Sequence, residues 1–266
     1  MKAVLLSAIA AYLGVCLLLW LGQERLIFLG AAPLPPPTAP PLWRIERVDF
    51  RTADGTRLEG VLALPPAARP PVVLYFGGNA EEATSHVRDA PRLYGPRAVL
   101  AVNYRGYGRS EGRPGEAALV DDATALYDWV RARADVDGER IAVHGASLGG
   151  GVAVALAARR PVKAVVLTAP FDSLVGLAQF HYPWAPAGLL LRHRFDCVAL
   201  APALEAPLLV ITAAQDTIIP PAHADRLAAA WGGPVQALRL AGRGHNDIPL
   251  DPLYAPAIAA FIDRRL

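Results

Sequence analysis

The pattern of apolar and polar positions divides the chain into three parts. Ala3–Leu21 holds 19 consecutive residues without a formal charge. As a helix this stretch would extend about 28 Å, close to the hydrocarbon thickness of a bilayer. Residues 31–41, AAPLPPPTAPP, have no helical or strand period and predict a semi-rigid, extended spacer. From Trp43 onward, short apolar runs alternate with longer segments of helical composition. Trp43–Thr52 and Arg57–Leu64 alternate residue by residue around Asp54-Gly55, which predicts a hairpin with one solvated face. Val72–Phe76, Ala98–Val102, Ile141–His144, Val162–Thr168 and Pro207–Thr212 are continuous apolar runs, the signature of strands covered on both faces. Val235–Leu240 predicts a last strand. Helices are predicted at Glu81–Tyr94, from Pro114 to about Arg133, at Gly150–Arg160, Ala222–Trp231 and Pro252–Arg265.

Strands alternating with helices imply a mostly parallel sheet with helices on both faces, preceded by an antiparallel hairpin. In such sheets ligands bind beyond the carboxyl ends of the strands. The chemistry should therefore collect after Phe76, Val102, His144, Thr168, Thr212 and Leu240.

One of these tips carries a reactive pattern. Ile141–Gly151, IAVHGASLGGG, reads as a strand, a sharp turn with Ser147 at its tip, and a helix. Gly145 and Gly149 flank the serine at two residues on either side, leaving room for close backbone approach. Such a turn exposes the serine Oγ and aims the following N–H groups at a bound group. The alternative is an ordinary connection whose serine caps the helix.

A serine hydroxyl needs a base, and that base an orienting acid. His245 lies in the glycine-rich loop after the last strand, and Asp216 follows Pro207–Thr212, so both fall at the expected edge. The order Ser147, Asp216, His245 is the one this turn-based chemistry uses. Asp172 is the competing acid, with a helix cap as its other reading, and Asp247 is too close to His245 in sequence to face its ring. His144 is expected to be packed or hydrogen-bonded within the sheet. His86 and His223 fall in predicted helices and are expected to be solvated. His181 and His193 lie in an irregular segment, lining a pocket or sitting on its surface. Backbone N–H groups of Leu148 and of Asn79, or less favourably Gly78, are the expected oxyanion donors.

Composition removes several alternatives. The 266 residues suit one large domain beyond the spacer, and 53% hydrophobic residues suffice for a large core. A net charge of +2 without a basic run predicts no nucleic-acid partner. The two cysteines, Cys16 and Cys197, are not expected to pair, and no Cys/His cluster predicts a metal. The glycines lack the lysine or the G-x-G-x-x-G spacing of a phosphate loop. No cofactor is expected.

The amino-terminal apolar run is read as an uncleaved single-span anchor in preference to a signal peptide, whose apolar core is shorter. Trp20 sits where an interfacial aromatic belongs, and Gln23-Glu24-Arg25 end the run. Lys2 favours a cytoplasmic amino terminus, which would set the soluble domain on the non-cytoplasmic side. The expected organisation is an anchor at 1–30, a linker at 31–42 and a domain at 43–266, with the soluble domain active when residues 1–30 are removed.

With these positions in view, the chain resembles the α/β-hydrolase superfamily. The resemblance runs from about Ile45 to the carboxyl terminus. It rests on GASLG at Gly145–Gly149, the Asp216 segment, GHND at Gly244–Asp247, and the loops Tyr75–Ala80 and Asn103–Gly112. Together with Gln23–Phe28 after the apolar run, these are similar to a membrane-anchored subgroup whose eukaryotic relatives include protein depalmitoylases. That subgroup usually carries His-Gly-Asn where this chain has Gly77-Gly78-Asn79. The resemblance implies a carboxylic ester or thioester hydrolase acting through an acyl-enzyme on Ser147, and a short cap at about residues 171–206. His181, Tyr182 and Trp184, with Gly78 on the opposite loop, are the candidate pocket residues for an apolar, lipid-like acyl ester. A serine peptidase or an acyltransferase would use the same residues, and a non-catalytic binding protein would use only the fold.

Overall fold

A computed structural model describes all 266 residues. Helix α1 spans Lys2–Ile27 and is long and apolar enough to cross a membrane by length and composition. The hairpin follows as β1 (Arg44–Arg51) and β2 (Arg57–Leu64), closed by a turn in which Gly55 takes a positive φ. After it come β3 (Pro71–Phe76), α2 (Ala90–Tyr94), β4 (Ala98–Val102), α3 (Glu116–Arg131), β5 (Asp137–Ala146), α4 (Leu148–Ala157) and β6 (Ala164–Thr168). Three short helices, α5 (Leu174–His181), α6 (Ala187–Leu190) and α7 (Cys197–Leu200), form the cap. The chain closes with β7 (Leu208–Ala213), α8 (Pro221–Ala230), β8 (Val235–Leu240) and α9 (Tyr254–Asp263).

The eight strands form one sheet in the order β1-β2-β4-β3-β5-β6-β7-β8. β2 pairs antiparallel with β1 and β4, and every pairing from β4 to β8 is parallel. Successive side chains of a strand face opposite sides, so each continuous apolar run serves two cores. Val72, Leu74 and Phe76 join one core with α3, α4 and α8. Val73 and Tyr75 join the other, beneath α2 and α9. This is why the central runs read as apolar without alternation.

The helix expected at Glu81–Tyr94 is divided. Residues 83–89 form a 3-10 helix, and only Ala90–Tyr94 is α-helical, with Pro91 in its first turn. Glu82 starts the 3-10 segment by accepting the Ser85 N–H, and Asn103 Oδ1 accepts the Ala83 N–H at 2.8 Å. A side chain from β4's exit thus replaces a helical acceptor.

The amino-terminal segment does not end as a free tether. Phe28 is buried in the same core as β3 and β5, and it meets the His193 ring edge-on at 5.1 Å. The Ala31 carbonyl accepts the Gly108 N–H at 2.9 Å. A boundary at residue 30 therefore cuts through packed structure, and removing residues 1–30 would also remove part of the domain's core.

Two histidines expected in solvent are not there. His86 stacks on Tyr75 with ring centroids 3.4 Å apart and bonds Tyr94 Oη at 2.7 Å. His223 is buried against Asp172. His144 is fully buried between Tyr94 Oη (2.6 Å from Nδ1) and Thr168 Oγ1 (2.9 Å from Nε2). Burial pushes its pKa down to about 3. The unfolded chain takes up this proton near pH 6.5, whereas the native chain resists until about pH 3. The resulting stability is fully present above about pH 6.5 and is lost progressively as pH falls toward 3. Urea unfolding of the detergent-solubilised chain should show its midpoint falling over that acid range, with a shallower fall in His144→Gln. An equal slope in the variant would remove His144 from the account.

Candidate active site

The strand-to-helix turn after β5 holds Ser147 at φ 51°, ψ −114°, a left-handed conformation that costs a non-glycine residue about 1–3 kcal/mol. Neighbours enforce it. The Ser147 N–H donates to the Thr168 carbonyl at 2.8 Å, and the Gly150 N–H returns to the Ser147 carbonyl at 2.9 Å. A Cβ on Gly145 would lie 2.3 Å from the Gly149 carbonyl oxygen. A Cβ on Gly149 would lie 2.0 Å from the Phe76 oxygen and 2.6 Å from that of Gly77. Only glycine at both positions lets the turn close on itself and lie against the end of β3.

His245 begins a 3-10 turn after β8, and Asp216 lies within the loop between β7 and α8. His245 Nδ1 lies 2.6 Å from Asp216 Oδ2, and Nε2 lies 3.2 Å from Ser147 Oγ. Asp216 is buried, and its second oxygen accepts the Ile218 and Ile219 N–H groups at 2.9 and 2.8 Å. A carboxylate can only accept, so the proton on this imidazole belongs on Nδ1. Nε2 is then the lone-pair nitrogen facing the Ser147 hydroxyl. Asp172 does not reach this group. Its oxygens are taken by His223 Nδ1 at 2.7 Å and Arg226 Nε at 2.5 Å. Burial pushes the Asp172 carboxyl up, but those two partners outweigh it and hold it below its ordinary value. Asp247 Oδ2 accepts the Gly244 N–H at 3.3 Å and steadies the loop that carries His245.

The loop after β3 faces the turn. The Gly78 N–H is taken by Glu81 Oε2 at 2.6 Å, while the Asn79 N–H makes no hydrogen bond within the chain. Of the two expected donors, Asn79 is the one left available. The N–H of Leu148, the first residue of α4, has no acceptor within its own helix. Gly77 would bring a Cβ to 3.2 Å from Glu81 Cδ. Glu81 occupies that side, with its other oxygen on Tyr75 Oη at 2.7 Å. Tyr104 Oη donates to the Gly77 carbonyl at 2.9 Å. Asn79 Oδ1 accepts from Tyr107 Oη at 2.7 Å and from the Leu29 N–H at 3.0 Å. Glu81, Tyr104 and Tyr107 hold the loop. The sequence marked Tyr104 and Tyr107 only as part of the Asn103–Gly112 loop, and it missed Glu81, whose one signal was a carboxylate three residues after Gly78.

A cavity of about 460 Å³ opens at Ser147, within the range of small-molecule sites. Fifteen of its nineteen wall residues are apolar, and none is an acid or a formal cation. Asn79, Leu148, His181 and Tyr182 line it. Gly78 and Trp184, two of the expected pocket residues, do not. Gly78 packs against the Ser147 turn with its amide turned to Glu81, and Trp184 projects half exposed from the cap. The far wall comes from α1, through Leu19, Gln23, Leu26 and Ile27. Periodicity along an apolar helix cannot reveal that one end of it lines a cavity.

Residues 71–187 match the family described as serine aminopeptidase, S33. The chain is 39% identical over 236 residues to an uncharacterized protein of Mycobacterium tuberculosis, covering 88% of this chain and 84% of that protein. It is 30% identical to the alpha/beta hydrolase domain-containing protein WAV2 of Arabidopsis thaliana, over 76% of this chain and 73% of that one. Among solved structures, an acetyl xylan esterase from Paenibacillus sp. R4 superposes with a TM-score of 0.72 at 23% identity, covering 85% of each chain.

The clearance at Gly149 gives a direct check on the turn. Gly149→Ala must push α4 away from the β3 backbone and should cost about 2 kcal/mol or more, read as a fall of several degrees in the thermal midpoint. Gly150→Ala meets its nearest atom at 3.6 Å and should leave the midpoint unchanged. Equal midpoints for the two variants would refute the close approach.

Proposed function

Because the chain belongs to the α/β-hydrolase superfamily, we propose that it is a membrane-anchored serine hydrolase cleaving carboxylic esters or thioesters. The observation that carries this reading is one imidazole bridging a buried carboxylate and a serine at the mouth of an apolar cavity. Ser147 Oγ attacks the acyl carbonyl while its proton passes to His245 Nε2. Asp216 keeps the Nδ1 proton in place and stabilises the imidazolium. The carbonyl oxygen, now negative, accepts from the Leu148 and Asn79 N–H groups, each such donor being worth about 2.7–4 kcal/mol in a comparable site. His245 then protonates the departing alkoxide or thiolate, leaving an acyl-enzyme on Ser147. Water, deprotonated by the same imidazole, attacks the ester; the acid leaves and Ser147 regains its proton. No step requires a metal or an organic cofactor.

The cavity's composition favours an acyl ester over an aminopeptidase substrate. A free α-amino group is a cation at neutral pH and needs an acidic partner when removed from water. The wall contains no carboxylate. Helix α1, with Trp20 near its end and charged residues beyond it, supports a single-span anchor. Lys2 supports a cytoplasmic amino terminus, with the hydrolase domain on the opposite side.

Two experiments test this reading. The wild-type chain should be labelled by a fluorophosphonate and should hydrolyse p-nitrophenyl esters of graded acyl length or an acyl-thioester, but not an aminoacyl amide. Ser147→Ala should lose labelling and at least about 10³-fold in kcat. A folded wild type that resists labelling would sink the hydrolase assignment. The full-length chain should also stay with membranes through an alkaline carbonate wash; recovery in the soluble fraction would refute the anchor.

A further inference from the structure

The cap lies alongside the apolar part of α1, below the level at which that helix becomes charged. At the upper level, Arg192 pairs with Glu24 at 3.3 Å and its guanidinium lies 5.1 Å from the Trp20 ring centre. Gln23, itself buried, donates to the Leu190 carbonyl at 3.1 Å and accepts the Arg192 N–H at 2.7 Å. Further down, Tyr12 Oη donates to the Trp184 carbonyl at 3.1 Å. Twelve residues separate Tyr12 from Glu24, a rise of about 18 Å along the helix. Tyr12 sits in the middle of the uncharged stretch Ala3–Leu21. Whatever surrounds the middle of that stretch also surrounds the tip of the cap.

The cap's own composition matches such a depth. Leu174–Leu191 contains no Asp, Glu, Lys or Arg, in a chain where these make up 19% of residues. Charge returns at once with Arg192 and Arg194, level with Glu24. Four large apolar or aromatic side chains point outward: Phe180, Tyr182, Trp184 and, at 85% exposure, Leu189. Single exposed apolar residues are ordinary, but a cluster within ten positions marks an interaction surface. Gln23 and the Glu24–Arg192 pair supply the polar level at which headgroups sit, with Trp20 beside them as an interfacial aromatic.

We propose that the tip of the cap, Phe180–Leu189, is embedded in the same lipid leaflet as the adjoining half of α1, so that the acyl cavity opens to lipid. The occupant of this apolar surface is the bilayer itself, continuous with the span of α1. The inference rests on the reading of α1 as a membrane span. It also gives the cavity's location a purpose. Leu19 lies below the charged level and lines the cavity with Leu190 and Tyr182 of the cap. An acyl chain can then pass from the bilayer between helix and cap to Ser147 without crossing water, while the scissile carbonyl stays at the polar level. A water-soluble ester would enter the same cavity without needing the embedded tip.

The test uses the full-length chain in phosphatidylcholine vesicles, with Cys16→Ala and Cys197→Ala removing the native thiols. Bimane is attached in turn to Trp184→Cys, Leu189→Cys, Leu5→Cys within α1, and Lys163→Cys on the opposite edge of the sheet. Doxyl-labelled phosphatidylcholine should quench the probe at 184, 189 and 5 but not at 163, and aqueous iodide should quench only at 163. Quenching by lipid at 5 but by iodide at 184 and 189 would overturn the embedded cap and leave the anchor standing. Absence of lipid quenching at 5 would overturn the anchor and the cap together. Leu189→Asp supplies a functional arm, since this side chain is outside the cavity wall. It should lower hydrolysis of a long-chain p-nitrophenyl ester dissolved in the vesicles by about tenfold and leave aqueous p-nitrophenyl acetate unchanged. Equal rates for variant and parent on the vesicle-borne ester would count against lipid-side access. Failure of every protein to cleave either ester would reject the hydrolase reading, while the quenching result would still decide the depth of the cap.

Discussion

The close contact between Gly149 and the Phe76 and Gly77 carbonyls is the constraint on which the site's geometry depends. It brings the end of β3 against the turn between β5 and α4 and leaves no space for a side chain between them. Because the two segments touch through backbone, the Asn79 and Leu148 amides keep a fixed relation to each other and to Ser147 Oγ. Under the proposed mechanism such preorganised donors need not reorganise as charge develops. The strained φ of Ser147 persists because packing from β3, β6 and α4 over-determines it.

Around that contact, the chain uses polar side chains in place of backbone to hold its loops. Glu81 takes the Gly78 amide, Tyr104 takes the Gly77 carbonyl, and Asn79 Oδ1 gathers Tyr107 and Leu29. The Leu29 contact ties the segment after α1 directly to the loop that carries the free Asn79 amide. The helix is therefore joined to the site twice, once through this hydrogen bond and once through the cavity wall it supplies. Helix α1 and the domain form one packed unit, unlike a domain hung from a proline tether. The spacer at residues 31–41 follows this junction instead of separating its parts.

The series of strands, the antiparallel hairpin and the placement of Ser147, Asp216 and His245 at one sheet edge were legible from periodicity and from the rule for parallel sheets, whereas the order of the strands in the sheet was not. Local signals carry such information, because a buried parallel strand must be apolar along its whole length and a tight turn must have glycine. The histidines show where local signals stop. His86 and His223 sit on short helical segments whose own periodicity predicts exposure, yet Tyr75 stacks on one and Asp172 binds the other. Asp172 and Asp216 follow successive strands and look equivalent as sequence. Only the placement of His223 and Arg226 beside the former and His245 beside the latter separates them.

By itself, the sequence determined the strand and helix series, the turn that exposes Ser147, and the existence of an apolar amino-terminal segment, because each is set by neighbours within a few residues. Tertiary structure alone decided which amide of the Gly77–Asn79 loop is free, which side chains hold that loop, and that α1 walls the cavity. Those outcomes depend on contacts between residues far apart in the chain, such as Tyr12 with Trp184 and Leu29 with Asn79. No periodicity records such pairings, since a leucine facing lipid and a leucine facing a cavity are the same letter. The turn at Ser147 could be read from five residues; the cavity beside it exists only once helix and cap have met.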